Sequence, residues 1–202
     1  MGIKRLFFLS LIVLSGATTG AAVALWQTGQ ANTGDKRPGA VIDGMWTSDL
    51  DIGSINAKGL LRARIARKGL FALSKQEAVY YIRTVDDSGA RLRPECRYDV
   101  SGTQPPADWW SITLYGEDDF LLRNRDNAAS INALDPAFSG PSWRVRVAST
   151  RPQTDLPWLS SSGARSYDLM LRLYGPDLET LARSDFRGFP SIKRLDCGQD
   201  PA

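Results

Sequence analysis

A mainly β fold, an antiparallel β-sandwich or jelly-roll-like domain with one or two flanking helices behind a single transmembrane helix, is predicted by this 202-residue sequence. Three features predict it: a charge-free apolar run near the amino terminus, period-two alternation from residue 79 onward, and proline-containing loops between the alternating stretches. The organisation that follows is a cytoplasmic terminus over 1–5, an anchor over 6–26, a polar linker over 27–38 and a periplasmic β-rich domain over 39–202.

The run LFFLSLIVLSGATTGAAVALW at 6–26 is 21 residues without a charge. At about 1.5 Å per helical residue it crosses a hydrocarbon core of about 30 Å. Ala22-Val23-Ala24 also offers the small residues of a signal-peptidase site, so cleavage is the competing reading. The run exceeds the usual h-region of about 7–15 residues, and Trp26 sits where an interfacial aromatic belongs, which favours retention. Lys4 and Arg5 on one side are balanced by Lys36 and Arg37 on the other, so charge alone does not orient the span. The cysteines do: Cys96 and Cys197 are an even pair behind an export segment, read as a disulfide in an oxidising compartment, with two unpaired buried thiols as the alternative. A bridge closing a loop of about 100 residues contributes at most about 4.7 kcal/mol in the chain-entropy account. These features place the chain in the inner membrane, single-pass, with its carboxy-terminal domain in the periplasm.

After the linker, Leu60, Leu61 and Ile65 fall at helical spacing among Arg62, Arg64, Arg67 and Lys68, predicting an amphipathic helix over 55–69 ended by Gly69. A short helical or turn segment is expected at 74–78. Strands are expected over 79–85 and 91–100, joined by a hairpin at Asp86-Asp87-Ser88-Gly89, and then over 109–115, 120–122, 143–148 and 167–174. The helix is expected to cover one edge of the sandwich. A short helix over 176–181 and an extended tail held by Cys197 close the chain.

Composition excludes more than it assigns. The sequence contains no histidine, which removes Ser-His-Asp and Cys-His catalysis and the commonest zinc and copper ligand. No G-x-S-x-G elbow and no glycine-rich phosphate loop is present. Asp49-Leu50-Asp51 imitates the start of a calcium loop but lacks the later oxygen ligands, so neither a metal nor a cofactor is expected. The pI near 9.0 reflects a formal charge of +3, two charges of which precede the apolar run; the remainder is mixed in sign, and nucleic-acid binding is not expected.

Adjacent tryptophans on one strand must point to opposite faces. Alternation sends Trp110 inward and leaves Trp109 with Ser111, Thr113 and Tyr115 on a face of rings and hydroxyls suited to a sugar, unless the helix or a loop covers it. Arg144, Arg146 and Arg172 are outward cations that suit either solubility or an anionic ligand.

The strand Trp110-Ser111-Ile112-Thr113-Leu114-Tyr115 follows Cys96-Arg97-Tyr98-Asp99-Val100-Ser101-Gly102 and Pro106-Ala107-Asp108-Trp109. With Gly69-Leu70-Phe71-Ala72-Leu73 and Glu77-Ala78-Val79-Tyr80-Tyr81 upstream, and Leu171-Arg172-Leu173-Tyr174-Gly175-Pro176 downstream, it resembles the bacterial domain of unknown function 1214 family. The resemblance implies a small membrane-anchored protein of the short single-domain type, with a β-sandwich-like domain and no established activity. It also implies an Asn-rich stretch after the Trp-Ser strand, matched by Asn124, Asn127, Ser130, Ile131 and Asn132; Ala128 and Ala129 depart from its pattern.

The functional expectation is a non-catalytic envelope module that binds a glycan, a lipid headgroup or an envelope protein through Trp109, Tyr115, Asn124, Asn127 and Ser130. A carboxylate-based hydrolase of envelope polysaccharide using Asp118, Asp119 or Asp99, and a structural scaffold in a membrane assembly, are the alternatives.

Overall fold

The computed structural model describes residues 3–30, 40–43, 45–49, 52–54, 57, 59–67, 73–183 and 188–198. The apolar run forms α1 (Ile3–Gln30), a helix long and apolar enough to cross a membrane, as a signal sequence also is. It continues past Trp26 into the expected linker. Its hydroxyls return to the helix's own carbonyls: Ser10 donates to Phe7, Ser15 to Ile12, and Thr18 to Leu14 and Ser15, each at 3.0 Å. These three hydroxyls are thus satisfied within the helix.

Among the described residues ten strands follow in two sheets. Strands β1 (Ala40–Asp43), β2 (Trp46–Asp49), β3 (Ala78–Arg83), β5 (Ala107–Gly116), β6 (Ser130–Asn132) and β9 (Tyr167–Pro176) make a six-stranded antiparallel sheet in the order β1-β2-β3-β9-β5-β6. The second sheet, β10-β4-β7-β8, contains β4 (Cys96–Thr103), β7 (Ser142–Ala148), β8 (Trp158–Ser160) and β10 (Ser191–Cys197), with β7 and β8 parallel. The inward rows of both sheets meet in one core. Trp110, Ile112 and Leu114 of β5 and Leu169, Leu171 and Leu173 of β9 oppose Tyr98 and Val100 of β4 and Val145 and Val147 of β7, all nearly or fully buried. At one end Trp110 stacks on Trp143 with ring centroids 4.9 Å apart, and Phe138 from the 3-10 turn Pro136–Phe138 closes the triangle. Gln104 accepts from the Trp110 indole at 2.9 Å and donates to the carbonyls of Phe138 and Gly140, so the polar edges of this cluster are satisfied.

Several elements depart from the sequence prediction. The stretches at 79–85 and 91–100 turn back on each other only at the antiparallel Val85–Arg91 bridge around Asp86–Gly89, and the strands they lead into, β3 and β4, lie in different sheets. Asp86 draws the chain into a corner, accepting from the amides of Ser88 and Ala90, while Pro94 denies the ladder a donor just before β4. Gly89 takes φ 83° at this corner. Residues 120–122 form a single bridge, Tyr115–Leu121, against the end of β5 beyond Ser111–Thr113, the part of that strand paired with β6. Residues 74–78, expected as a helical or turn segment, do form a turn, in which Ser74 and Glu77 bond each other's ends. Among the described residues the predicted helix over 55–69 is α2 (Gly59–Arg67); Ile55 and Gly69 lie outside them. The last helix is α3 (Leu178–Ala182), started by Asp177 accepting from the Thr180 amide.

The extended tail is a full strand. Pairing of β10 with β4 sets Cys197 opposite Cys96, and the two are joined as a disulfide. At the other end Arg83, 5 % exposed, donates through Nη1 to the Pro190 carbonyl and through Nη2 to Asp87 at 2.5 Å. The Trp46 indole donates to the same carbonyl at 2.7 Å, and Asp87 accepts from the Ile192 amide. One strand of the second sheet is thus tied to β2 and β3 of the first.

Cys197→Ser is expected to lower unfolding free energy by about 2–5 kcal/mol in denaturant titrations. Reductant should reproduce the loss in the parent and add nothing in the variant. Arg83→Met removes the guanidinium bonds to the Pro190 carbonyl and to Asp87 while Trp46 and the Ile192 amide still donate to them, and is expected to cost about 1–3 kcal/mol in the same measurement.

Candidate functional site

The face carrying Trp109 and Tyr115 is the outer face of the six-stranded sheet. Register sets Trp109 beside Tyr174, Ser111 beside Arg172, Thr113 beside Met170, and Ala78, Tyr80 and Ile82 beyond them on β3. Arg172 donates to the Tyr115 hydroxyl, and its guanidinium carbon lies 5.4 Å from that ring's centroid. Trp109 meets Tyr174 edge to face at 5.1 Å. This surface is largely closed. Ala78, Tyr80, Ser111, Thr113 and Met170 are buried, and Ile52 and Leu73, the described residues flanking α2, pack on the Ala78–Tyr80–Met170 cluster. Burial raises the Tyr80 phenol above its ordinary value, with Tyr174 adding to it. Trp109 and Tyr115 are left half-buried at the rim.

The Asn-rich stretch is engaged internally. Asn124 donates to the Ser160 carbonyl at 3.1 Å and accepts from the Asp126 amide, and Asp126 accepts from the Ser160 hydroxyl at 2.6 Å. Asn127 is exposed at φ 53°, a conformation that Asn tolerates. Ser130 is exposed, sharing its hydroxyl with Thr113 at 2.8 Å and with the Ile112 carbonyl. Asn124 and Ser130 thus fasten the β5–β6 connection to β8 and to β5. Neither they nor Trp109 line the two hollows formed by described residues.

Carboxylates are dispersed. Asp99 pairs with Arg146 at 2.8 Å on the second sheet, whereas Asp118 and Asp119 lie in the turn after β5, where Asp118 accepts from the Phe120 amide. Among the described residues no group of three or more His, Cys, Asp or Glu is placed to hold a metal ion. Asp49 is in β2, and Asp51 lies outside the described residues.

Among the described residues an open concavity lies on the second sheet. A trough of about 620 Å³ crosses its outer face, floored by Ser101 and Thr103 of β4, Ser142 and Arg144 of β7 and Ser191 of β10. Ser101 pairs with Arg144 on one side and Ser191 on the other, and the two serine hydroxyls are 3.1 Å apart. Asp155, Leu156 and Pro157, ahead of β8, make one wall; Gly188 and Phe189, ahead of β10, make the other. Short side chains on the floor between walls from both flanking strands create the depression. Alternation could have marked Ser101, Thr103, Ser142 and Arg144 as outward, but not that β4, β7 and β10 are neighbours. A smaller hollow of about 290 Å³ is lined by Met45, Trp46, Arg83 and Asp87, beside the Arg83 bonds already described.

The sequence model described as "Protein of unknown function (DUF1214)" matches residues 77–178, half of the chain. The chain belongs to this family. The DUF1214 match runs from the turn before β3 to the start of α3, so it includes Cys96 but ends before β10 and Cys197. A crystal structure of the VPA0106 protein from Vibrio parahaemolyticus is similar in fold, with TM-score 0.55 and 20% identity over 68% of this chain and 35% of that one. An uncharacterised protein from Burkholderia cenocepacia aligns with TM-score 0.45 and 20% identity over 59% of this chain and 30% of that one. The chain thus spans about a third of the length of these solved structures. No curated protein matches it.

Asp86 is the carboxylate with the clearest thermodynamic consequence. Burial pushes it up, but bonds from the Ser88 hydroxyl and amide and the Ala90 amide, with Arg194 nearby, outweigh burial and hold it below its ordinary value near 3.8. A carboxyl depressed by folding contributes stability above its unfolded value, and that stability is lost as pH falls through the folded one. Asp86→Asn keeps an acceptor for the turn and removes the charge. It is expected to flatten the decline of unfolding free energy below about pH 4, measured by denaturant titration across pH.

Proposed function

We propose that this DUF1214 protein is a membrane-anchored, extracytoplasmic, non-catalytic binding module, held in the inner membrane by α1 and presenting the trough of its four-stranded sheet to an envelope component. The observation that carries this reading is the Cys96–Cys197 disulfide behind a helix with a charge-free apolar run. Disulfides persist in oxidising compartments, and this one closes the last strand onto the domain. α1 exposes its apolar side chains from Phe7 to Ala24, which suits a lipid environment.

Binding rather than catalysis is supported by the residues that line the trough. The chain has no histidine, and among the trough's described lining Asp155 is the single carboxylate, whereas glycoside hydrolysis uses two flanking the bond. Trp109, Tyr115, Asn124 and Ser130 have structural partners, so the proposed binding surface moves from their face to the open one.

Intact mass of the full chain extracted from a membrane fraction, alkylated with and without prior reduction, tests the placement. The expected result is the full-length mass, gaining two alkyl groups only after reduction. A mass about 24 residues short points to a cleaved export signal and overturns the anchor. Alkylation without reduction overturns the oxidising compartment.

A further inference from the structure

We infer that the trough binds an acidic oligosaccharide, with Arg144 receiving a sugar carboxylate and Asp155 accepting from sugar hydroxyls; this rests on the binding-module reading and gives its ligand a chemical class. The volume of about 620 Å³ lies in the range of small-molecule sites, roughly 300–1,000 Å³, but the lining is unlike an apolar pocket. Ser101, Thr103, Ser142 and Ser191 bring four hydroxyls to it, each both donor and acceptor, which complements a ligand rich in hydroxyls. Phe189 and Pro157 supply apolar surface on opposite walls for the C–H faces of a pyranose ring.

The charged groups narrow the class. Two arginines alternate outward along β7, and their situations differ. Arg146 is 13 % exposed in its side chain and neutralised by Asp99 at 2.8 Å. Arg144 is exposed and has no hydrogen bond or ion pair among the described residues. Its planar guanidinium, at the trough floor beside Ser101, suits a carboxylate taken by two parallel N–H bonds. Asp155 on the wall opposes a phosphate-dense ligand, because its negative charge repels a dianion, whereas it can accept hydrogen bonds from hydroxyls elsewhere on a singly charged sugar. One cation, one anion and four hydroxyls therefore fit a carboxylated glycan better than a phosphorylated headgroup or a neutral sugar.

The test is calorimetric titration of the full chain in detergent micelles with tetragalacturonate, and with maltotetraose as the neutral counterpart. Saturable binding of tetragalacturonate that Arg144→Ala weakens by about ten- to hundredfold, with maltotetraose much weaker, is the expected result. Ser101→Tyr, which raises the floor, should abolish binding while the disulfide and the circular-dichroism spectrum are retained. Equal binding of both oligosaccharides, insensitive to Arg144→Ala but lost in Ser101→Tyr, overturns the acidic class and leaves the binding module standing. Binding that survives Ser101→Tyr overturns the trough as the site. Absence of binding by either oligosaccharide overturns the inference itself, while anchoring and compartment are judged by the mass measurement alone.

Discussion

The pinning of strand β10 is the constraint on which the second sheet depends. Of its seven residues only Ile192 is buried, so hydrophobic burial along the strand holds it weakly. The disulfide grips one end, and Arg83, Asp87 and Trp46 grip the other through the Pro190 carbonyl and the Ile192 amide. Without β10, β4 would become an edge strand with Tyr98 and Val100 beside solvent. The same strand supplies Ser191, and the segment leading into it supplies Phe189, so the wall of the trough exists because the chain end is fastened.

The two sheets serve different purposes. The six-stranded sheet is dry on its inner face and mostly covered on its outer one, and its aromatic and arginine side chains are absorbed by packing: Trp109 on Tyr174, Arg172 on Tyr115. The four-stranded sheet has a polar trough on its outer face, with Arg144 unpaired among the described residues. A residue's type does not separate these cases. Arg146 and Arg172 have partners and Arg144 has none among the described residues, although all three point outward from alternating strands.

The chain keeps the DUF1214 core while being short beside the solved structures it resembles. Its family-matched stretch holds both sheets' central strands, but β1, β2 and β10 lie outside it. These flanking strands contribute Trp46 to the core and the disulfide's second half, so features that fasten the domain are carried by the parts beyond the matched stretch.

Local chemistry made much of this legible from residues alone. A charge-free run of 21 residues defines an apolar helix whatever follows it, and alternation in β5, β7 and β9 sends Trp110, Val145 and Leu171 inward because side chains on a strand change face at every residue. What alternation cannot express is which strands become neighbours. The sheet switch between β3 and β4, the short strands β1, β2, β6 and β8, and the polar strand β10 were decided by tertiary pairing, since three or four residues carry too little pattern and β10 buries only one side chain. For the same reason the sequence marked Trp109 and Tyr115 by their chemistry, while only the assembled sheets decided that their face is covered and that Ser101, Arg144 and Ser191, drawn from three separate strands, share the open one.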